Sequence, residues 1–120
     1  LDTYEQFLVK KDVQFIEKIH QVIEENLDNS DFNIDTIAST IGLSRSAFFK
    51  KLKSLTGFAP VDLVKEIRLN KSIELIKNSD MSISEIAFAV GFKDSGYFSK
   101  CFRKKYDQTP REYMNEWRKG

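Results

Sequence analysis

One cysteine (Cys101), one histidine (His20), two prolines and five glycines are all that 120 residues hold of the types that staple, ligate or interrupt a chain. A lone thiol excludes an internal disulfide, and with a lone imidazole it leaves neither a Cys/His metal set nor a Cys/His nucleophile pair. No glycine-rich phosphate loop is present, and the carboxylates are scattered rather than paired, so the sequence offers no metal site, no cofactor site and no catalytic residue. No run of about 18 apolar residues offers a membrane span, and the N-terminus lacks the charged-then-apolar form of a signal peptide. A cytoplasmic setting without membrane contact by this segment is therefore expected. Opening on Leu1 rather than methionine, the chain reads as a piece of a longer protein. With 41% hydrophobic and 31% charged residues and few breakers, it is expected to be globular and helical.

What is present is one pattern written twice. Residues Asn33 to Arg68 overlay Ser82 to Arg118 at a shift of 49 up to Ser46 and of 50 from Ala47 onward, with Gly96 as the inserted residue. Ten of the 36 aligned pairs are identical, among them Ile37/Ile86, Ala38/Ala87, Gly42/Gly91, Ser46/Ser95, Phe48/Phe98, Lys50/Lys100 and Arg68/Arg118. A duplicated unit that keeps its core, its turn glycine and an exposed lysine suggests two equivalent readers of one repetitive partner, for which duplex DNA is the natural candidate.

Charge divides along the same line. Residues 1–32 hold three Lys against eight Asp or Glu, a net of −5, whereas residues 33–120 hold sixteen Lys or Arg against ten acids, a net of +6. Within the duplicated part, Ser44 to Thr56 carries Arg45, Lys50, Lys51 and Lys53 with no acid, and Ser95 to Tyr106 carries Lys100, Arg103, Lys104 and Lys105 with none. Two corresponding acid-free segments favour contact with a polyanion over a merely solvated face.

Leu1 to Asp12 shows no clean period and reads as a linker from an upstream domain (1–12). From Val13 to Leu27, apolar residues at helical spacing predict an amphipathic helix, on whose boundary His20 falls. Asn33 caps a short helix with Ile34, Ile37, Ala38 and Ile41 inward. Gly42 makes the sharp turn, and Ser44 caps a helix with Phe48, Leu52 and Leu55 inward and lysines outward. Gly57 ends this first unit (13–58) as a left-handed cap. Pro60 opens a long connecting helix (59–78), about 27 Å at 1.5 Å per residue. In the second unit (79–120), Ser82 with Glu85 forms a capping box, Gly91 repeats the turn, and Asp94 or Ser95 caps a helix with Phe98, Cys101 and Phe102 inward. Thr109, Pro110 and Glu112 then start a last helix anchored by Tyr113 and Trp117. The fold class is therefore all-α, of about seven helices, with two helix-turn-helix subdomains joined by a long connecting helix.

The stretch Ile37-Ala38 to Gly42-Leu43-Ser44-Arg45-Ser46, followed by Leu55-Thr56-Gly57 and Pro60, resembles the first helix-turn-helix of AraC/XylS-type transcription regulators. Ile83 to Phe92, followed by Tyr97-Phe98-Ser99-Lys100 and Phe102-Arg103-Lys104, is similar to that family's second signature, with Asp107 where many members carry glycine. The resemblance spans about Val13 to Arg118. It implies that each unit lays its second helix in neighbouring major-groove segments on one face of the DNA, and that the chain is the C-terminal effector of a larger regulator. The acidic helical lead-in looks like the arrangement in response regulators and hybrid two-component sensors, in which case the full-length protein could be membrane-anchored.

Carried over residue by residue, the family's base-facing positions are Ser46, Phe49 and Lys50 in the first unit and Ser95, Gly96, Ser99 and Lys100 in the second. Lysine can donate to guanine, serine to several base edges, and a phenyl ring can pack on a thymine methyl. Phe49 is turned about 100° from the inward row of Phe48 and Leu52, which puts it either at the rim of the core or in the groove. The remaining cations, Arg45, Lys51, Lys53, Arg103, Lys104 and Lys105, read as phosphate contacts.

The expected partners are double-stranded DNA, an upstream receiver or ligand-sensing domain of the same chain, and, as a further candidate, RNA polymerase. The isolated domain is expected to be monomeric. A helical module docking an acidic protein is the chief rival, but such a partner would not require two matched basic segments. RNA fits less well, because its deep, narrow major groove does not admit a helix.

Overall fold

Asp2 accepts a hydrogen bond from the Glu5 amide at 2.8 Å and so starts the first of seven α-helices that a computed structural model, describing residues 2–118, assigns to the chain. These are α1 (Thr3–Glu25), α2 (Ile34–Ile41), α3 (Arg45–Thr56), α4 (Pro60–Asn78), α5 (Ile83–Ala89), α6 (Ser95–Tyr106) and α7 (Pro110–Trp117), and no strand occurs among the described residues. Most of residues 1–12, expected to be a linker, is thus helix. A good N-cap, an acid in the first turn and the absence of Gly and Pro allow it, although Tyr4, Phe7, Leu8 and Val9 stay exposed. With nothing covering that stretch, no buried face imposes a period on it.

Contacts divide the chain into two units, residues 1–26 with 32–64, and residues 27–31 with 65–120. The division runs through α4. Its first turn therefore closes the first unit, as α7 closes the second, and the rest of it opens the second unit as α1 opens the first. Pro60 and Pro110, buried at the corresponding helix starts, mark that equivalence.

In the first unit α1 packs on α2 and α2 on α3. Phe15, Ile19 and Ile23 of α1, Ile37 and Ala38 of α2, and Phe48 and Leu52 of α3 are buried, with the Phe15 and Phe48 rings edge-to-face at 6.4 Å. Leu55, expected inward, is exposed instead, in the last turn of α3.

The second unit is built on aromatic rings. Phe98 lies 5.2 Å from Phe92 and 5.8 Å from Phe102, and Phe102 lies 4.6 Å from Tyr106. Ile76, Ile86 and Val90 complete this core. Both arginines of the repeated pair tie down carbonyls here. The Arg68 guanidinium donates to Gly91 O at 2.6 Å and Asn29 O at 3.2 Å, and that of Arg118 to Met81 O at 2.8 Å and Ile76 O at 3.1 Å. Arg68 thereby holds the turn after α5 and the 27–31 segment, and Arg118 holds the end of α4 and the segment that leads into α5.

Candidate nucleic-acid interface

One backbone hydrogen bond closes each turn in the same way. After α2, Gly42 at φ +87° lets the Leu43 amide reach back to Ala38 O at 2.9 Å, and after α5, Gly91 at φ +94° lets the Phe92 amide reach back to Ala87 O at 2.9 Å. The shift between the units is 49 up to this point. The next fixed point is the cap of the second helix. Ser44 Oγ accepts from the Ala47 amide at 3.2 Å, and Asp94 Oδ1 accepts from the amides of Gly96 at 2.6 Å and Tyr97 at 3.2 Å. There the shift is already 50.

The inserted residue is therefore Lys93, in the turn, and not Gly96. Sequence identity had paired Ser46 with Ser95, but the caps pair Arg45 with Ser95 and Ser46 with Gly96. Lys93 makes an exposed ion pair with Asp31 at 3.1 Å.

On α3, Phe48 and Leu52 are fully buried, and Ser46, Phe49, Lys50 and Lys53 form one exposed row at spacings of three and four. Phe49 is 47% exposed and lies in this row. On α6 the corresponding row is Gly96, Ser99, Lys100 and Arg103, with Ser99 half-buried, and the inward residues Phe98 and Phe102 are fully buried.

Arg45 is exposed, 3.4 Å from Asp35 in a surface pair weak enough to exchange for a phosphate. Lys104 is exposed as well. Lys51 is exposed but rests over the Phe15 ring, with its Nζ 4.3 Å from the centroid.

Lys105 departs from the sequence expectation. Its ammonium is hydrogen-bonded to Glu66 of α4 in a half-buried pair, and a lysine so engaged is not presented to phosphate. The cause is angular, since five residues from Lys100 at 100° each turn Lys105 about 140° off the row. Next to it the Tyr106 hydroxyl donates to Asn70 Oδ1 at 3.0 Å, and burial, with the Glu66 charge, pushes the phenol up to about 12.

Sequence reasoning passed over Tyr97. It lies in the first turn of α6 where α3 has Ala47, is 51% exposed, and has Lys65 Nζ 5.6 Å from its ring centroid. The signal was available, since the residue next to the inward Phe98 must point elsewhere.

Among the described residues no group of three His, Cys, Asp or Glu side chains converges to hold a metal ion, and no helix is long and apolar enough to cross a membrane.

Comparison with known proteins agrees with this geometry. A family model described as a helix-turn-helix domain matches residues 37–116. Histidine kinase P4 of Formosa agariphila is 38% identical over 106 residues, which are 88% of this chain and 8% of that protein. The HTH-type transcriptional regulator MtrA of Neisseria gonorrhoeae is 34% identical over 98 residues, 82% of this chain and 32% of MtrA. The chain thus spans less than a third to under a tenth of these relatives.

Among solved structures, the C-terminal domain of the two-component response regulator yesN from Fusobacterium nucleatum superposes with a TM-score of 0.75 at 31% identity, covering 82% of this chain and 95% of that one. A transcriptional regulator of Chromobacterium violaceum, described by its AraC-type DNA-binding domain, gives 0.80 at 28% identity, covering 87% and 92%. The DNA-binding domain of AdpA, solved with a target DNA, gives 0.79 at 28% identity, covering 88% and 93%.

Proposed function

The chain belongs to the AraC-type helix-turn-helix family, and from that premise we propose that it binds double-stranded DNA sequence-specifically as the output module of a larger, signal-responsive transcription regulator. The recurrence of one exposed row on the second helix of each unit, behind a fully buried inward row, carries this reading. A helix needs such a row to enter a major groove, with its N-terminal residues at base edges and its flanking cations at phosphates.

Ser46, Phe49 and Lys50 of α3 and Ser95, Gly96, Ser99 and Lys100 of α6 face the bases. Arg45, Lys51, Lys53, Arg103 and Lys104 engage phosphates, and Lys51 leaves the Phe15 ring to do so. The two helices occupy neighbouring groove segments. An upstream receiver or ligand-sensing domain supplies the signal in the cytoplasm, a reading supported by the likeness to a response-regulator domain and by the small share of its relatives that this chain spans.

The test is equilibrium binding to a selected duplex across a salt series. Five phosphate contacts at a slope of about 0.9 each predict an affinity loss of about five-hundredfold between 50 and 200 mM salt. Lys50→Ala or Lys100→Ala should cost about 1–3 kcal/mol and relax preference at one operator position. Salt-insensitive binding, or equal affinity for every duplex, would defeat the proposal.

A further inference from the structure

The corrected register shows that the two exposed rows are unequal. From the helix start, α3 presents Ser46, Phe49 and Lys50, whereas α6 presents Gly96, Ser99 and Lys100. At both positions that differ, α6 carries the smaller group, so Lys100 is the one long side chain of its base row. Along the flanks the changes run both ways, with Tyr97 for Ala47 and Lys104 for Ser54 but Ser95 for Arg45 and Cys101 for Lys51.

A left-handed backbone does not account for Gly96. Its φ is not positive, unlike those of Gly42, Gly57 and Gly91. A Cβ there would lie 3.0 Å from Asp94 Oδ1, the cap oxygen that accepts from the Gly96 and Tyr97 amides, and would touch nothing else closer than 4.0 Å. What the missing side chain leaves open is the outer surface of the recognition helix.

We infer that the two units divide the labour of DNA recognition, α3 carrying most of the sequence preference while α6, with only a glycine and a serine at positions 96 and 99, discriminates bases chiefly through Lys100. The inference rests on the DNA-binding reading above. Its chemistry is that of side-chain reach. A glycine offers the bases no side-chain donor, acceptor or methyl contact, and a half-buried serine offers one short hydroxyl. Discrimination of about five- to a hundredfold per contacted base pair is therefore expected at two or more positions under α3 and at one under α6.

Selection of the full chain's preferred sites from a randomised duplex pool tests this. One sharply defined half-motif and one poorly defined half-motif are expected. The double variant Gly96→Ser with Ser99→Phe gives α6 the row of α3, and its weak half-motif should sharpen toward the bases preferred in the strong one. In the converse variant, Phe49→Ser, the strong half-motif should lose definition, and because Phe49 is exposed this variant keeps the core intact.

Two half-motifs of equal definition in the parent chain would overturn the division of labour while leaving DNA binding in place. So would an unchanged weak half-motif in a double variant whose thermal melt matches the parent's. No enrichment of any sequence would remove the DNA-binding reading and this inference with it.

Discussion

Gly42 and Gly91 occupy the same place in the two turns and take nearly the same backbone conformation, at φ +87° and +94°, but their surroundings differ. A Cβ on Gly42 would meet nothing within 4 Å. On Gly91 it would lie 2.3 Å from Leu27 O and 2.7 Å from Arg68 Cζ. Alanine at position 42 should therefore cost only the left-handed backbone term, about 1–2 kcal/mol.

Alanine at position 91 adds a clash with main-chain oxygen that no side-chain rotation relieves, at about 1–3 kcal/mol. It also disturbs the 2.6 Å bond from Arg68 to Gly91 O. That guanidinium is desolvated, and its partners here are carbonyls, so losing one leaves charge poorly compensated. Together these put Gly91→Ala at about 3–5 kcal/mol, in the range reserved for overpacking and broken buried contacts.

The assay is urea denaturation followed by two signals. Trp117, the one tryptophan, lies in the second unit, so its fluorescence reports that unit, whereas ellipticity at 222 nm reports both. Gly91→Ala should shift the fluorescence midpoint at least twice as far as Gly42→Ala shifts the ellipticity midpoint. Equal shifts would show that Leu27 and Arg68 yield without cost, and the reasoning from close approach would be wrong.

Lys104 and Lys105 are neighbours with different duties. Lys104→Ala should reduce the salt slope of DNA binding by about 0.9. Lys105→Ala should leave the slope unchanged and instead destabilise the second unit by about 1 kcal/mol, since it strands Glu66 in a partly exposed pair. The capping boxes predict an acid limb. Hydrogen bonds from the Ser82 backbone and side chain lower the Glu85 carboxyl, and those from Thr109 do the same for Glu112. A lowered folded value contributes stability present above the ordinary 4.5 and lost as pH falls through the folded value, so thermal midpoints should decline below that pH. Glu85→Gln and Glu112→Gln keep the box geometry without the charge and should flatten this limb.

Local chemistry made much of the architecture readable in advance. Asn33, Ser44, Ser82 and Thr109 cap helices because each short polar side chain reaches an amide two or three residues on, a relation that needs no knowledge of the tertiary fold. Asp107, which stands where many members of the family carry glycine, sits at φ +61° and donates its amide to Arg103 O at 2.8 Å, as Gly57 does to Lys53 O at 2.9 Å. What escaped depended on partners distant in sequence or on none. Lys105 is diverted by Glu66, 39 residues away. The first turns of α1 have no covering surface, so amphipathic periodicity, the signal used to find helices, was missing where the helix was present.

The misplaced insertion has a different origin and the larger consequence. Ser46 and Ser95 are identical by type, and an alignment that maximises identity accepts them. Serine is common at helix starts in any position from the cap inward, so the match carries little information about register. A hydrogen-bonded turn and a capped amide carry more, because each fixes a residue's distance along the helix. Leu43 and Phe92 close the same ring, and Ser44 and Asp94 cap the same way, so Lys93 must be the added residue. Moving the insertion by three residues shifts which side chains share an exposed row. It pairs Gly96 with Ser46 and leaves Ser95 opposite Arg45 at the first helical position. The apparent equality of the two readers was thus a product of the alignment, and their difference is a property of the folded helices.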